Sequence, residues 1–216
     1  MFSIIQAAGW PIWPLIACSI LGLALVIERF ISLKTDKIVP PKLLDEAIMV
    51  SNSSIPGPDV VAQLEQNSVL GEVLATGFRT LNSNPKVSES DLRSSLEGAG
   101  RQAAAKLQRY LGALATIASA APLLGLLGTV IGMIEIFGSQ GGAGGMGTAA
   151  GGGDPTQLAH GISIALYNTA FGLIVAIPAL MFYRHFRAKV EAYTLTLEQA
   201  AERMVPHLLK LTGGRR

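Results

Sequence analysis

The chain has 216 residues, of which 50% are hydrophobic and only 15% are charged. Soluble domains carry about 25% charged residues, so this composition excludes an ordinary water-soluble domain. The net charge of +2 is small, and no basic cluster is interleaved with aromatic residues, so we expect no nucleic-acid partner. The single cysteine, Cys18, excludes an intrachain disulfide.

Three apolar stretches without any charged residue run through the chain, at 10–27, 110–134 and 161–183. A helix that rises about 1.5 Å per residue needs about 20 apolar residues to cross the hydrocarbon layer of a membrane. All 17 Lys and Arg residues lie on the same side of these stretches, because residues 1–9 and 137–160 contain none. The positive-inside rule therefore predicts an all-α integral membrane protein with three transmembrane helices, its N-terminus outside and its C-terminus in the cytoplasm.

In chain order, the sequence predicts long helices that extend from the membrane into a cytoplasmic helical domain. Ser88 and Asp91 resemble a capping box that begins a helix. Since no proline follows before Pro122, we expect that helix to continue directly into the second span. The third span is expected to continue to about Val205, before Pro206. The predicted segments are a periplasmic N-terminus (1–9), transmembrane helix 1 (10–30), a cytoplasmic helical section (31–109), transmembrane helix 2 (110–137), a Gly-rich periplasmic loop (138–159), transmembrane helix 3 (160–183) and a cytoplasmic C-terminal helix and tail (184–216).

The second and third stretches carry small residues at helical spacing. Membrane helices approach closely where small residues share a face, and two glycines four residues apart are a common form of this pattern. We interpret these faces as helix-packing surfaces, and the two interior prolines as kinks that free a carbonyl four residues earlier. The residues assigned to packing or kinks are Gly125, Gly128, Gly132, Gly172, Pro122 and Pro178.

Two threonines lie within these stretches, and polar groups inside a bilayer are costly and tend to be functional. Thr129 lies about 9 Å inside the outer end of the second stretch, and Thr169 lies about 12 Å inside that of the third. We therefore expect both hydroxyls at one depth. One interpretation is that each hydroxyl bonds its own helix backbone; the other is a polar ring, which needs several copies because one chain has too little circumference.

Two segments carry a family resemblance: LATIASAAPLLGLLGTVIGMIEIF at 114–137 and HGISIALYNTAFGLIVAIPALMFYR at 160–184. They resemble the paired signature helices of the MotA/TolQ/ExbB family, nearest to ExbB and TolQ, because MotA proteins have four spans. The resemblance implies the channel-forming subunit of a motor in the bacterial inner membrane, driven by the ion motive force. It also implies that Thr129 and Thr169 face a membrane aspartate of a partner subunit, which takes and releases the proton.

The same resemblance implies the composition of the complex. A homopentamer of this chain would surround two single-span subunits of the ExbD/TolR type, and the output would often pass to a TonB-like or TolA-like protein. Many ExbB-type proteins carry a glutamate near the start of the last span, where this chain has Ser163. Glu135, at the outer end of the neighbouring helix, is a candidate for a compensating acid. The alternative is an interfacial glutamate in water, and His160 is likewise interpreted as interfacial.

Other functional classes remain open or are disfavoured. The sequence contains no Gly-x-Ser-x-Gly elbow, no His-Glu-x-x-His and no carboxylate pair, so we expect neither an enzyme, a metal site nor a cofactor. A non-conducting scaffold that clusters a single-span partner remains open, as does a subunit of a flagellar-stator-like or gliding motor. A small-solute transporter is disfavoured, because three spans contain no inverted repeat. Coupling to protons or to sodium, and an output in nutrient uptake, envelope integrity or motility, all fit the residues.

Overall fold

The computed structural model describes residues 10–53, 56–141 and 155–213. Every regular element in these ranges is an α-helix, which confirms the all-α prediction for this part of the chain. The predicted N-terminal segment 1–9 and most of the predicted loop 138–159 lie outside the described residues. The helices are α1 (Ile12–Ser32), α2 (Thr35–Ile38), α3 (Leu43–Ser53), α4 (Pro58–Asn67), α5 (Val69–Ser83), α6 (Glu89–Gln108), α7 (Leu111–Gly141) and α8 (Pro155–Gly213).

Three helical stretches are long and apolar enough to cross a membrane: Ile12–Ser32, Glu89–Ile134 and Ala165–Leu211. The middle stretch combines α6 with most of α7. Large apolar side chains point outward from these stretches; Leu123 and Ile174, for example, are 66% and 65% exposed. Such a surface suits acyl chains or other membrane helices, so the prediction of three candidate spans is confirmed. The direction in which they cross stays a prediction.

The chain divides into two compact units. The first comprises Met1–Ile27 and Tyr110–Arg184, and the second comprises Glu28–Arg109 and His185–Arg216. The first unit contains the three apolar stretches, whereas the second contains all the Lys and Arg residues except Arg184. The division follows from composition, because charged helices pack in water and apolar helices pack in lipid.

In the first unit, α1, α7 and α8 pack around small side chains. Leu15, Ala121 and Ala176 form a buried cluster, one residue from each helix. Gly22 lies beside α7, where an added Cβ would be 3.6 Å from Ile117 Cγ2. Lipid removes the hydrophobic driving force between helices, so close van der Waals contact through small residues holds such a bundle together.

In the second unit, the amphipathic helix α5 contributes a large share of the core and contacts both α4 and α6. Its buried side chains recur every three or four residues, as expected for one face of a helix. The sequence predicts largely helical spacing across 59–81, and the structure interrupts it at Ser68. The Ser68 Oγ accepts a hydrogen bond from the Gly71 N–H at 3.0 Å and so caps α5. The buried residues of α5 are Leu70, Gly71, Val73, Leu74, Ala75, Gly77, Phe78 and Leu81.

The helix α6 begins as predicted but does not continue unbroken into the second span. The Ser88 Oγ accepts from the Asp91 N–H at 3.1 Å and donates to Asp91 Oδ2 at 2.7 Å. The helix ends at Gln108, and Tyr110 has a φ of 67°, a left-handed conformation that interrupts helical geometry. The Arg29 Nη1 donates to the Leu107 carbonyl at 3.0 Å. This side chain occupies a carbonyl that an unbroken helix would offer to the N–H four residues later.

The prediction that the last helix stops before Pro206 is wrong, because α8 continues to Gly213. Proline removes one helical hydrogen bond, which costs a helix about 3 kcal/mol in isolation. Here the flanking residues Met204, Val205 and Leu208 are almost completely buried and hold the last turns in place. Packing therefore outweighs the missing bond. Pro122 and Pro178 likewise lie inside α7 and α8.

Candidate ion pathway in the membrane helices

The helices α7 and α8 touch backbone to backbone at two of the predicted packing glycines. A Cβ added at Gly125 would lie 2.8 Å from the Asn168 carbonyl oxygen, and one added at Gly172 would lie 2.6 Å from the Ala121 carbonyl oxygen. Real Cβ atoms do not approach other atoms this closely, so only glycine fits without a shift of the backbone. This contact determines how closely the two helices approach each other.

Two further glycines set the alignment of the helices along their length. A Cβ added at Gly128 would lie 2.8 Å from the Cβ of Asn168, and one added at Gly132 would lie 3.6 Å from the Cβ of Ala165. Residue numbers therefore rise along α7 while they fall along α8, as in an antiparallel pair. Thr129 follows Gly128, and Thr169 follows Asn168. The two threonines accordingly lie within about two residues, or ~3 Å, of one level along the helix pair. Their depth in the membrane stays a prediction.

The two threonine hydroxyls have different partners. Thr169 is half-buried, and its Oγ1 donates across the helix interface to the Gly125 carbonyl at 3.4 Å, near the upper limit for a hydrogen bond. Thr129 is also half-buried, and its Oγ1 donates to the Leu126 carbonyl of its own helix at 2.7 Å. The Thr129 hydroxyl therefore bonds its own helix backbone, whereas the Thr169 hydroxyl bonds the backbone of the neighbouring helix. The weaker bond of Thr169 is the one that a new partner could replace more easily.

The predicted residues near the outer end are not brought together with the threonines. Ser163 is exposed, and its Oγ donates to the Ala159 carbonyl of its own helix at 2.9 Å. Glu135 belongs to α7, but its side chain lies outside the described residues, as does that of His160. Their predicted roles at an entrance stay predictions.

Asn168 is not among the predicted ion-pathway residues, yet its side chain is only 2% exposed and lies in the α7–α8 interface. The sequence contained a signal for it, since an amide inside an apolar stretch is costly unless it is buried against protein. What the sequence does not reveal is the direction of the side chain. Burial places Asn168 between the helices, next to Thr169 in sequence and with its side chain against Gly128.

The chemistry available at this level is that of hydroxyl and carbonyl groups. Residues 111–134 and 161–183 contain no Asp, Glu, Lys, Arg or His. A threonine hydroxyl can donate to a carboxylate and can accept from a protonated carboxyl, so it serves both states of a titrating acid. These parts of the chain therefore offer hydroxyl and carbonyl partners for a proton carrier, but no carboxyl of their own.

Comparison with known proteins identifies the family of this chain. Residues 65–199 match the model of the MotA/TolQ/ExbB proton channel family. This chain belongs to that family. The putative biopolymer transport protein ExbB-like 3 of Synechocystis is 32% identical over 198 residues, which cover 91% of this chain and 90% of the relative. The biopolymer transport protein exbB1 of Vibrio cholerae is 32% identical over 181 residues, or 81% and 74% of the two chains.

A shorter relative is more similar over a smaller region. The biopolymer transport protein ExbB of Helicobacter pylori is 43% identical over 83 residues, which cover 38% of this chain and 52% of the relative. The MotA/TolQ/ExbB family is a family of proton channels and not of enzymes. Together with the three candidate spans, membership identifies this ExbB-like chain as a membrane protein.

Proposed function

We propose that this chain is the channel-forming subunit of a motor complex in the bacterial inner membrane, driven by the ion motive force. The observation that carries the proposal is the Thr169 hydroxyl, 3.4 Å from the Gly125 carbonyl and level with Thr129, inside apolar helices. The N-terminus lies in the periplasm and the C-terminus in the cytoplasm, since all Lys and Arg residues fall on one side of the spans.

The complex contains several copies of this chain and a partner that supplies the titrating acid. A pentamer of this chain surrounds two ExbD/TolR-like single-span subunits, and a TonB-like or TolA-like protein receives the output. This composition follows from the family resemblance, and relatives named as biopolymer transport proteins support a role in transport. The partial exposure of Thr129 and the greater exposure of large apolar side chains on α7 such as Leu123 support contact with other membrane helices.

Proton entry and exit on the partner's carboxyl drive the motion. A neutral, protonated carboxyl crosses a low-dielectric surface that its ionised form resists. The hydroxyls of Thr129 and Thr169 accept from the protonated form and donate to the ionised form. Each charge that moves through a potential of 100 mV releases about 2.3 kcal/mol. The ring of five identical chains and the pair of partner subunits have different rotational symmetries. Each protonation event therefore turns the pair relative to the ring.

The test is ion flux through the purified complex in vesicles, with this chain co-expressed with its single-span partner. We expect Thr169→Val to lower proton flux per complex about tenfold or more, since it removes a hydrogen bond to a charged group worth about 1.5–3 kcal/mol. Thr169→Ser keeps the hydroxyl and should retain most of the flux. The matched control is Thr116→Val on α7, because the Thr116 hydroxyl bonds the Gly112 carbonyl of its own helix at 2.9 Å and does not reach across to α8.

The same preparation distinguishes the alternatives. Unchanged flux in both Thr129→Val and Thr169→Val would contradict the proposed pathway. Assembly with the partner but no flux in the unaltered complex would indicate a non-conducting scaffold. Flux that requires sodium in place of a proton gradient would identify the coupling ion.

Glu135 and Ser163 belong to the proposed entrance on the periplasmic side. Glu135 supplies an acid near the outer ends of α7 and α8, where many ExbB-type proteins have a glutamate in the last span. Glu135→Gln should therefore lower flux and shift its pH dependence, while Ser163→Ala tests whether the hydroxyl contributes. If Glu135→Gln leaves the flux and its pH profile unchanged, Glu135 is an interfacial residue in water.

A further inference from the structure

Asn168 is the buried polar side chain closest in sequence to the Thr169 hydroxyl. It lies on α8 with 2% of its surface exposed, and its Cβ, Cγ and Nδ2 all face Gly128 of α7. Removing a carboxamide from water costs free energy that an alanine at the same position would not cost. The contact with Gly128 shows what this side chain does in the interface.

The glycines of α7 are required for different reasons. At Gly125, an added Cβ would meet main-chain atoms of α8: the Asn168 carbonyl oxygen at 2.8 Å and the Thr169 Cα at 3.1 Å. At Gly128, the three nearest atoms all belong to the Asn168 side chain, at 2.8 Å for Cβ, 2.9 Å for Nδ2 and 3.0 Å for Cγ. Gly125 is therefore needed because the backbones are close, whereas Gly128 is needed because residue 168 has a side chain.

We propose that Asn168 is a positioning residue for Thr169. Its side chain occupies the space above Gly128 and so fixes the register of α8 against α7. That register holds the Thr169 Oγ1 3.4 Å from the Gly125 carbonyl. Because this distance is near the limit for a hydrogen bond, a shift of a few tenths of an ångström decides whether the bond forms. The functional part of this inference rests on the proposed function, whereas the structural part does not.

A disulfide can report the register without reference to ion flux. The Cβ positions of Gly132 and Ala165 are 3.6 Å apart, which falls within the range for a disulfide. We therefore replace the native Cys18 with alanine and introduce Gly132→Cys and Ala165→Cys, in the complex with its partner. The measurement is the rate of disulfide formation under mild oxidation, in membranes.

We expect each single change to slow cross-linking and the two changes together to restore it. Gly128→Ala places a Cβ against the Asn168 side chain and should slow cross-linking about fivefold or more, as for an overpacked core. Asn168→Gly alone removes the side chain and should also slow it, because the register is less well defined. Both changes together exchange the glycine and the side chain between the helices, and we expect cross-linking within about twofold of the starting rate. Asn168→Ala should restore less, because its Cβ remains 2.8 Å from the new one.

Two controls separate this contact from general effects of alanine. Gly112→Ala, also on α7, adds a Cβ with no atom within 4 Å and should leave the rate unchanged. Gly125→Ala should slow cross-linking, and Asn168→Gly should not rescue it, because the atoms in the way are main-chain atoms. Rescue of Gly128→Ala but not of Gly125→Ala is the signature of a contact through the Asn168 side chain.

Proton flux per complex supplies the functional arm. We expect Gly128→Ala and Asn168→Gly each to lower flux, and the double variant to recover most of it. The proposal is overturned if Gly128→Ala cross-links at the starting rate, or if the double variant is not rescued. It is also overturned if cross-linking recovers while flux does not, because Asn168 would then act by something other than position. If even the unaltered complex carries no flux, the proposed function fails, and cross-linking alone still decides the structural claim.

Discussion

Replacement of Gly172 by alanine tests the close backbone contact between α7 and α8. The added Cβ would lie 2.6 Å from the Ala121 carbonyl oxygen and 3.1 Å from the Gly125 Cα. Ordinary contact begins at 3.4 Å, so the helices have to separate by about 0.8 Å, the difference between these two distances. The same separation lengthens the distance from Thr169 Oγ1 to the Gly125 carbonyl, which is already 3.4 Å, beyond hydrogen-bonding range.

Three terms determine how Gly172→Ala changes the free energy of unfolding. Overpacking of a close-packed interface costs about 1–3 kcal/mol. The lost hydrogen bond between membrane helices costs about 0.6 kcal/mol more. Alanine favours a helix over glycine by about 1 kcal/mol, which offsets part of this. Gly112→Ala on α7 receives the same helical gain but meets no atom within 4 Å, so it isolates the packing cost. We expect the two variants to differ by about 1.6–3.6 kcal/mol in free energy of unfolding, the sum of the packing cost and the lost hydrogen bond.

The assay is reversible unfolding of the detergent-solubilised chain by increasing mole fractions of sodium dodecyl sulfate, followed by circular dichroism. Gly172→Ala should unfold at a lower mole fraction than the unaltered chain, and Gly112→Ala at an equal or higher one. Equal unfolding midpoints for Gly172→Ala and Gly112→Ala would refute the reasoning, because the backbone contact would then not constrain the helices.

Three further changes test contacts in the second unit. Arg29→Met removes a buried guanidinium that bonds a carbonyl at the end of α6, and we expect it to lower the free energy of unfolding by about 1.5–3 kcal/mol. Gly71→Ala should destabilise strongly, because its Cβ would lie 2.0 Å from a carbonyl oxygen of α4, while Gly98→Ala meets nothing within 4 Å and is the control. Burial, and then the charge of Lys210, lower the pKa of His207 below its usual 6.5. The unfolded chain therefore binds more protons than the folded chain, so the free energy of unfolding should fall as the pH drops from about 6.5 through the lower folded-state pKa. His207→Gln should flatten this dependence. Thermal unfolding at pH 8 and pH 5.5 measures it.

Much of the fold is a local property of the sequence and could be predicted from it. The three spans follow from apolar runs of sufficient length, and the start of α6 follows from Ser88 and Asp91, three residues apart. The glycines of α7 and α8 share helical faces because of their spacing. The common level of Thr129 and Thr169 follows from helical rise and opposite direction. Each of these features depends on residues within one helix, or on a property of each residue taken separately, such as its hydropathy or its rise along the helix.

Other features depend on contacts between residues distant in sequence. The break after α6 involves Arg29, whose partner carbonyl is 78 residues away. The extension of α8 past Pro206 depends on burial of the surrounding side chains, and the Ser51 Oγ lies 2.7 Å from the His207 Nε2 across 156 residues.

The same distinction applies inside the membrane unit. The sequence predicts that Thr169 and Thr129 are polar residues at one depth, because hydropathy and helical rise are read along the chain. Only the tertiary structure decides that Asn168 faces Gly128, that Thr169 reaches across to Gly125 and that Thr129 bonds its own helix. The physical reason is that the rotation of a helix about its axis depends on its steric fit with the neighbouring helix. Here the two helices are so close that one added methyl group would not fit between them.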